Sequence, residues 1–178
     1  MKTFLIAICL LFCSCQSSQI NQINKNLKAV KLVVSIKDQK ASILDAKTYR
    51  PIKRFTVSTG RAGIGNKPRS NATPIGSFQV IKEIGEGYSP DITIKGDSVI
   101  SYTITRSKID PIISRSIWID GLDPQNNNTL NRTIRMHGSP FVDKLGIPCS
   151  MGCVRFAPED IMVVCNYLKL GDIIEIQR

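Results

Sequence analysis

Histidine is almost missing from this chain: among 178 residues there is one, His137. A metal centre needs several imidazole, thiolate or carboxylate ligands at set spacings, and neither the spacing around His137, Cys149 and Cys153 nor a nearby carboxylate encourages one. The glycines of segment 61–71 are followed by no Gly-Lys-Ser/Thr and no helix opens there, which argues against nucleotide binding. Acidic residues are the minority, 14 against 24 Lys and Arg, for a net charge of +10. Yet there is no compact basic run with interleaved aromatics, so the footprint of nucleic-acid binding is absent too. Internal repeats, coiled-coil heptads and apolar runs long enough to span a bilayer are also lacking. What remains is one domain with a real core, plus an appendage.

The appendage is N-terminal. Met1-Lys2-Thr3 carries the only early charge, and an apolar run from Phe4 to Cys13 follows. That length is too short to cross a bilayer and suits the core of a signal peptide. The run stops at Phe12-Cys13-Ser14-Cys15, with a small residue before Cys15 and polar Gln16-Ser17-Ser18-Gln19 after it. This resembles a loose bacterial lipoprotein box, whose cysteine is lipidated and becomes the mature N-terminus. Because the run ends at a cysteine and not at an Ala-x-Ala site, residues 1–15 are expected to be a signal peptide with Cys15 lipidated. The other reading is an ordinary signal peptide cleaved nearby. Either one exports the protein to the periplasm or cell envelope, and the first also anchors it to a membrane. Residues 16–28, rich in Gln, Asn and Ser, read as a flexible tether, and residues 29–178 as the folded domain.

Export sets the redox context. Cys9, Cys13 and Cys15 belong to the leader, leaving Cys149, Cys153 and Cys165 in the folded part, so at least one thiol stays unpaired even under oxidising conditions. For an exported protein the basic balance fits an anionic polymer such as a cell-wall glycan carrying carboxylated peptides. A basic surface that is simply solvated is the alternative.

Strand periodicity dominates from Ala29 onward. Val30, Leu32, Val34 and Ile36 alternate with Lys31, Val33, Ser35 and Lys37, and Asp38-Gln39-Lys40 turns the chain into Ala41–Leu44. Further strands are expected at Ile52–Ser58, Ser77–Lys82, Val99–Thr105, Ser116–Ile119, Arg132–His137 and Asp172–Ile176. Trp118 reads as core or cleft wall. Pro158-Glu159-Asp160 supplies proline and two carboxylates to a first helical turn, Ile161, Val164, Cys165 and Leu168 follow at helical spacing, and Gly171 is expected to stop that helix. Cys165, on the apolar face, reads as an inert buried thiol. Many short strands, one late helix and no strand-helix alternation favour a mostly β domain, a sandwich or small barrel with a helix against it.

His137, delivered at a strand end, and Cys153, directly after Gly152, are candidates for a base and a thiol nucleophile. Gly152 allows a sharp turn that brings the Gly152 and Cys153 amides toward a substrate carbonyl as an oxyanion hole. Arg155 adds positive charge nearby, and a backbone carbonyl at Gly138 or Ser139 can orient the imidazole. The same residues also admit blander arrangements: a structural histidine with packed cysteines, a zinc site, or a Cys149–Cys153 disulfide that silences the thiol.

The stretch His137-Gly138 to Ser150-Met151-Gly152-Cys153-Val154-Arg155 resembles the signature of the L,D-transpeptidase catalytic domain, the YkuD-like family. In that family a His-Gly strand end precedes a Ser-His-Gly-Cys-apolar-Arg/Asn loop. Val57-Ser58-Thr59-Gly60, Thr73-Pro74-Ile75-Gly76-Ser77-Phe78, Pro158-Glu159-Asp160-Ile161 and Gly171-Asp172 match further motifs in the family's order, over about residues 29–178. The resemblance implies a β-sandwich with one clear C-terminal helix near the active site. It implies Cys153 as nucleophile, His137 as general base and acid, Gly138 orienting His137 through its backbone, and Gly152 in the oxyanion hole. Ser150, Met151 and Arg155 would shape the substrate site. The implied substrate is the peptidoglycan stem peptide, cut after the L-centre of a diamino acid and passed to an amine or to water, with no metal or cofactor. Met151 departs from the pattern, standing where the family usually has a second histidine.

Overall fold

The computed structural model of the chain describes residues 29–101 and 111–178. The expected signal peptide at 1–15, the tether at 16–28 and the second half of the strand expected at Val99–Thr105 lie outside the described residues. The described chain forms β1 (Val30–Ser35), β2 (Lys40–Asp45), β3 (Pro51–Thr56), β4 (Gly76–Ile84), β5 (Thr93–Lys95) and β6 (Ser98–Ser101). These are followed by β7 (Ile112–Gly121), β8 (Arg135–Gly138), β9 (Val154–Phe156), the helix α1 (Pro158–Tyr167) and β10 (Ile173–Gln177).

Alternation sets the inner face. In β1, Leu32 and Val34 are fully buried while Lys31, Val33 and Ser35 stay partly exposed. β1 pairs antiparallel with β2, and β2 with β3. β10 returns from the far end of the chain to run parallel to β1 and antiparallel to β4. β4 leads to β7, which carries β5 and its hairpin partner β6 as well as β8, and β8 runs parallel to β9.

The sheet then closes on itself. Just past β3, Ser58 exchanges both backbone hydrogen bonds with Arg155 of β9, at 3.0 and 2.8 Å. The two halves thereby face each other across one core. Leu32, Val34, Ile43 and Phe55 come from one side, and Ile117, Ile119, Met136, Val154 and Phe156 from the other. Phe55 and Phe156 meet edge to face, their ring centroids 6.1 Å apart. The fold is the mostly β sandwich with one helix that the strand pattern leads one to expect.

α1 begins at Pro158 with Glu159 and Asp160 in its first turn, and sinks Ile161 and Val164 into the core against β7 and β8. It ends at Tyr167, earlier than the Gly171 stop. Leu168 leaves helical backbone (φ −91°, ψ 151°) to bury its side chain, and Gly171, at φ +92°, serves the turn into β10. β7 is longer than the expected Ser116–Ile119, and it is kinked where Ser114 takes φ +65° and the register to β8 slips. β8 starts at Arg135 because Thr133, at φ +55°, still belongs to the preceding turn.

One polar side chain in the core connects the first hairpin to the strand end after β3. Gln39, in the β1–β2 turn at φ +49°, is buried; its Nε2 donates to Ile36 O (2.6 Å) and Thr59 Oγ1 (2.7 Å), and its Oε1 accepts from Thr59 N (2.9 Å). Truncation leaves the Thr59 amide and the Ile36 carbonyl buried without these partners. Gln39→Ala should therefore lower unfolding free energy by about 2–3 kcal/mol in urea titrations, and a loss below about 0.5 kcal/mol would show that water replaces the amide without cost.

Candidate active site

The site starts from a register. Met136 of β8 lies opposite Val154 of β9, and His137 opposite Arg155. On β7, Ser116 lies opposite His137 and Trp118 opposite Arg135. Since side chains alternate across a strand, Ile117, Met136 and Val154 go to the core, and Ser116, Trp118, Arg135, His137 and Arg155 share the other face. Cys153 immediately precedes β9 at the edge of that polar face, and its Sγ lies 3.6 Å from the Thr133 carbonyl.

His137 is buried, with only 2 % of its surface exposed, so its ring exchanges protons only with groups packed around it. Its Nδ1 lies 2.9 Å from the Gly138 carbonyl. A carbonyl can only accept, so Nδ1 carries the proton and the lone pair of the neutral ring sits on Nε2. Gly138 is itself packed tightly: an added Cβ would come within 2.5 Å of Ile113 O and 3.2 Å of Ile161 Cγ2.

The loop before Cys153 is held from inside and outside. Inside, Ser150 is fully buried; its Oγ accepts from Gly152 N (3.0 Å) and donates to Cys153 O (2.6 Å). Outside, the Thr59 carbonyl accepts from both Cys149 N and Ser150 N at 2.9 Å, Arg61 N donates to Ser150 O, and Thr73 Oγ1 donates to Gly152 O at 2.8 Å. Gly152 sits at φ +121°, a conformation for glycine. In this arrangement its N–H is engaged by Ser150 Oγ, so Gly152 contributes backbone shape, and its expected part in an oxyanion hole requires that hydroxyl to release it.

Two further arginines, Arg132 and Arg135, interact with Cys153. Burial lowers the pKa of Arg132 and of Arg135 from the ordinary arginine value, and negative charge on Cys153 partly restores both. Reciprocally, both guanidinium groups stabilise negative charge on Cys153 Sγ. Arg135 also lies flat over the Trp118 ring, 3.5 Å from its centroid, and donates to Gly96 O (2.9 Å) at the tip of the β5–β6 hairpin. Arg155 instead directs Nη1 to the other thiol of the loop, Cys149 Sγ, at 3.3 Å, with Ser58 Oγ 3.1 Å from the same sulfur. Cys149 and Cys153 are not joined in a disulfide. Met151 turns outward and is half exposed.

Cys165 lies away from this face, in a cleft with Glu83 and Arg115. Burial pushes its thiol well above the ordinary cysteine value, with Glu83 adding to the shift, and burial raises the Glu83 carboxyl likewise. A thiol so poorly ionised is a weak nucleophile.

Gly152 is the most constrained point of the loop. A Cβ there would fall 2.8 Å from Ile134 Cδ1 and 2.9 Å from the Ala72 carbonyl, in a backbone region closed to other residues. Gly152→Ala should cost about 1–3 kcal/mol of stability. It should also change the rate at which iodoacetamide alkylates Cys153, followed by peptide mass mapping; an unchanged rate and midpoint would mean the loop relaxes freely.

Comparison with known proteins agrees with this architecture. The L,D-transpeptidase catalytic domain, YkuD, matches residues 29–176. No curated protein matches the sequence. Among solved structures, an L,D-transpeptidase from Mycobacterium smegmatis superposes with a TM-score of 0.55 at 15% identity, over 84% of this chain and 59% of that one. L,D-transpeptidase 3 from Mycobacterium tuberculosis, in complex with a faropenem-derived adduct, gives 0.53 at 18% identity, over 84% and 60%. An L,D-transpeptidase from Xylanimonas cellulosilytica gives 0.52 at 15% identity, over 84% and 61%. The chain thus spans about three-fifths of the length of these structures, which share its fold. With most of the folded domain matched in sequence and the His-Gly and Gly-Cys motifs brought to neighbouring strands, the chain belongs to the L,D-transpeptidase catalytic domain family.

Proposed function

We propose that this protein is an exported, lipid-anchored L,D-transpeptidase that acts on peptidoglycan stem peptides. The observation that supports the reading is the β8–β9 register, which sets His137 opposite Arg155, two residues after Cys153, while the Gly138 carbonyl holds the imidazole with Nε2 as its basic nitrogen. In the first half-reaction His137 takes the Cys153 proton, and Sγ attacks the carbonyl of the amide that follows the L-centre of the diamino acid. The C–N bond breaks, the departing amine receives the proton from His137, and the acyl group stays on Cys153 as a thioester. In the second, an amine gives its proton to His137 and attacks the thioester, and the thiolate leaves. The Cys153 amide, and that of Gly152 once Ser150 Oγ releases it, would stabilise the oxyanion. Arg132 and Arg135 favour the thiolate at the start and the end of the cycle.

Export rests on the leader: residues 1–15 direct secretion, Cys15 carries the lipid, and residues 16–28 hold the domain away from the membrane surface. The reading requires no metal or cofactor.

Incubating the purified mature protein with muropeptides and weighing the products tests the reaction. Cross-linked dimers are expected; shortened peptides alone would assign the acyl acceptor as water, and unchanged peptides would reject catalysis. Cys153→Ala should lower product formation by at least about 10³-fold without changing the unfolding midpoint, and retained turnover would reject the assigned nucleophile. For the anchor, cells given labelled palmitate should label the protein and fail to label Cys15→Ala; equal labelling of the two defeats the lipidation site.

A further inference from the structure

Beside the nucleophile loop lies a cavity of about 290 Å³ whose walls include Arg69, Asn71, Asn131, Arg132, Ile134 and Met151. It adjoins the residue before Cys153: the position of a Cβ on Gly152 is 2.8 Å from Ile134 Cδ1 and 3.5 Å from Arg132 Nη2. Arg132 is held rigidly, since Nη1 donates to Gly65 O (3.0 Å) and Asn66 Oδ1 (3.3 Å), and Nη2 to Ala72 O (2.7 Å) and Ser70 Oγ (3.3 Å). All four acceptors are uncharged, so these bonds fix the guanidinium without neutralising it. Arg69 stands exposed at the rim, and neither arginine pairs with a carboxylate among the described residues. Two cations without a carboxylate partner among the described residues, two side-chain amides and an apolar wall next to the loop of Cys153 make a site for an anion carried on a small organic group.

We propose that this cavity is a carboxylate subsite for the peptide substrate, in which Arg69 receives the carboxylate, Arg132, whose Nη hydrogens are already engaged, contributes its fixed charge, and Met151 and Ile134 form the apolar wall. The inference rests on the peptide-transfer reading above and assigns a part of the substrate to it. A stem peptide offers two carboxylates near the reacting amide: that of the departing D-residue and that on the side chain of the diamino acid. Both have the chemistry the cavity selects. Met151 then acts in binding, facing the substrate where it departs from the family pattern, and takes no part in proton transfer.

The test measures binding without turnover. Cys153→Ala protein is titrated calorimetrically with three tetrapeptides: one with both carboxylates free, one amidated at the terminal carboxyl, one amidated at the diamino acid. One amidated peptide should bind about tenfold more weakly, which identifies the carboxylate bound. Arg69→Gln in the same background should weaken the free acid by a similar factor and abolish the preference. In the active protein Arg69→Gln should raise KM with kcat unchanged. Equal binding of all three peptides, no binding of any, or a preference that survives Arg69→Gln overturns the subsite. Failure of the transferase reading would appear separately, as wild-type protein that binds the free acid with this preference and yields no product.

Discussion

The site depends on one docking event, the seating of the 149–153 loop on the strand end at 58–60. Two adjacent amides, Cys149 N and Ser150 N, share the Thr59 carbonyl, and Ser58 and Arg155 complete the contact by exchanging both of their backbone hydrogen bonds. These bonds do two jobs. They close the sheet between β3 and β9, and they set where the chain enters β9, which decides the position of Cys153 relative to β8. Thr59 is in turn fixed by Gln39, so the first hairpin of the domain determines the geometry of a loop more than a hundred residues later. Such a long-range arrangement is slow to assemble but rigid once formed, because Gln39, Thr59 and Ser150 at its centre are buried and hydrogen-bonded.

Three arginines place positive charge around this frame. Arg132 and Arg135 act on Cys153, while Arg155 faces Cys149 and the ring of Phe141. Arg155 lies opposite His137 on β9 and reaches Cys149 Sγ and the Phe141 ring. Burial of Arg132 and Arg135 disfavours their charge, and negative charge on Cys153 offsets part of that cost.

How much of this is legible in the sequence depends on range. The alternation in Val30–Ile36, the Pro158 helix start and the strand ending at His137 are local patterns, and they correspond to β1, α1 and β8. β5 and β9, at three residues each, are too short to display a period, and they exist because β7 and β8 offer them edges. Gln39 reads as an ordinary turn residue because Thr59, which takes part in two of its three side-chain hydrogen bonds, lies twenty residues on, where no local pattern reaches. Arg135 is the miss that a closer look at parity can find: it stands two residues before His137 on the same strand and so must share its face. Arg155, two residues after Cys153, is legible as a cation of the loop, and its Nη1 reaches the neighbouring thiol, Cys149 Sγ.

The frame also explains why the departure at Met151 is compatible with an intact loop. Ser150 and Gly152, its two neighbours, are the members that cannot change: one supplies both internal hydrogen bonds, and the other occupies backbone space closed to a side chain. The side chain between them has no bond to make and points outward, half exposed, into the cavity wall. An alternating pattern of locked, free and locked positions lets the middle residue vary with little effect on where the thiol is held. Histidine there would place a titratable polar ring beside Arg132, a thioether an apolar one. Whichever residue stands there, the position of Cys153 stays under the control of Thr59, Thr73 and Ser150.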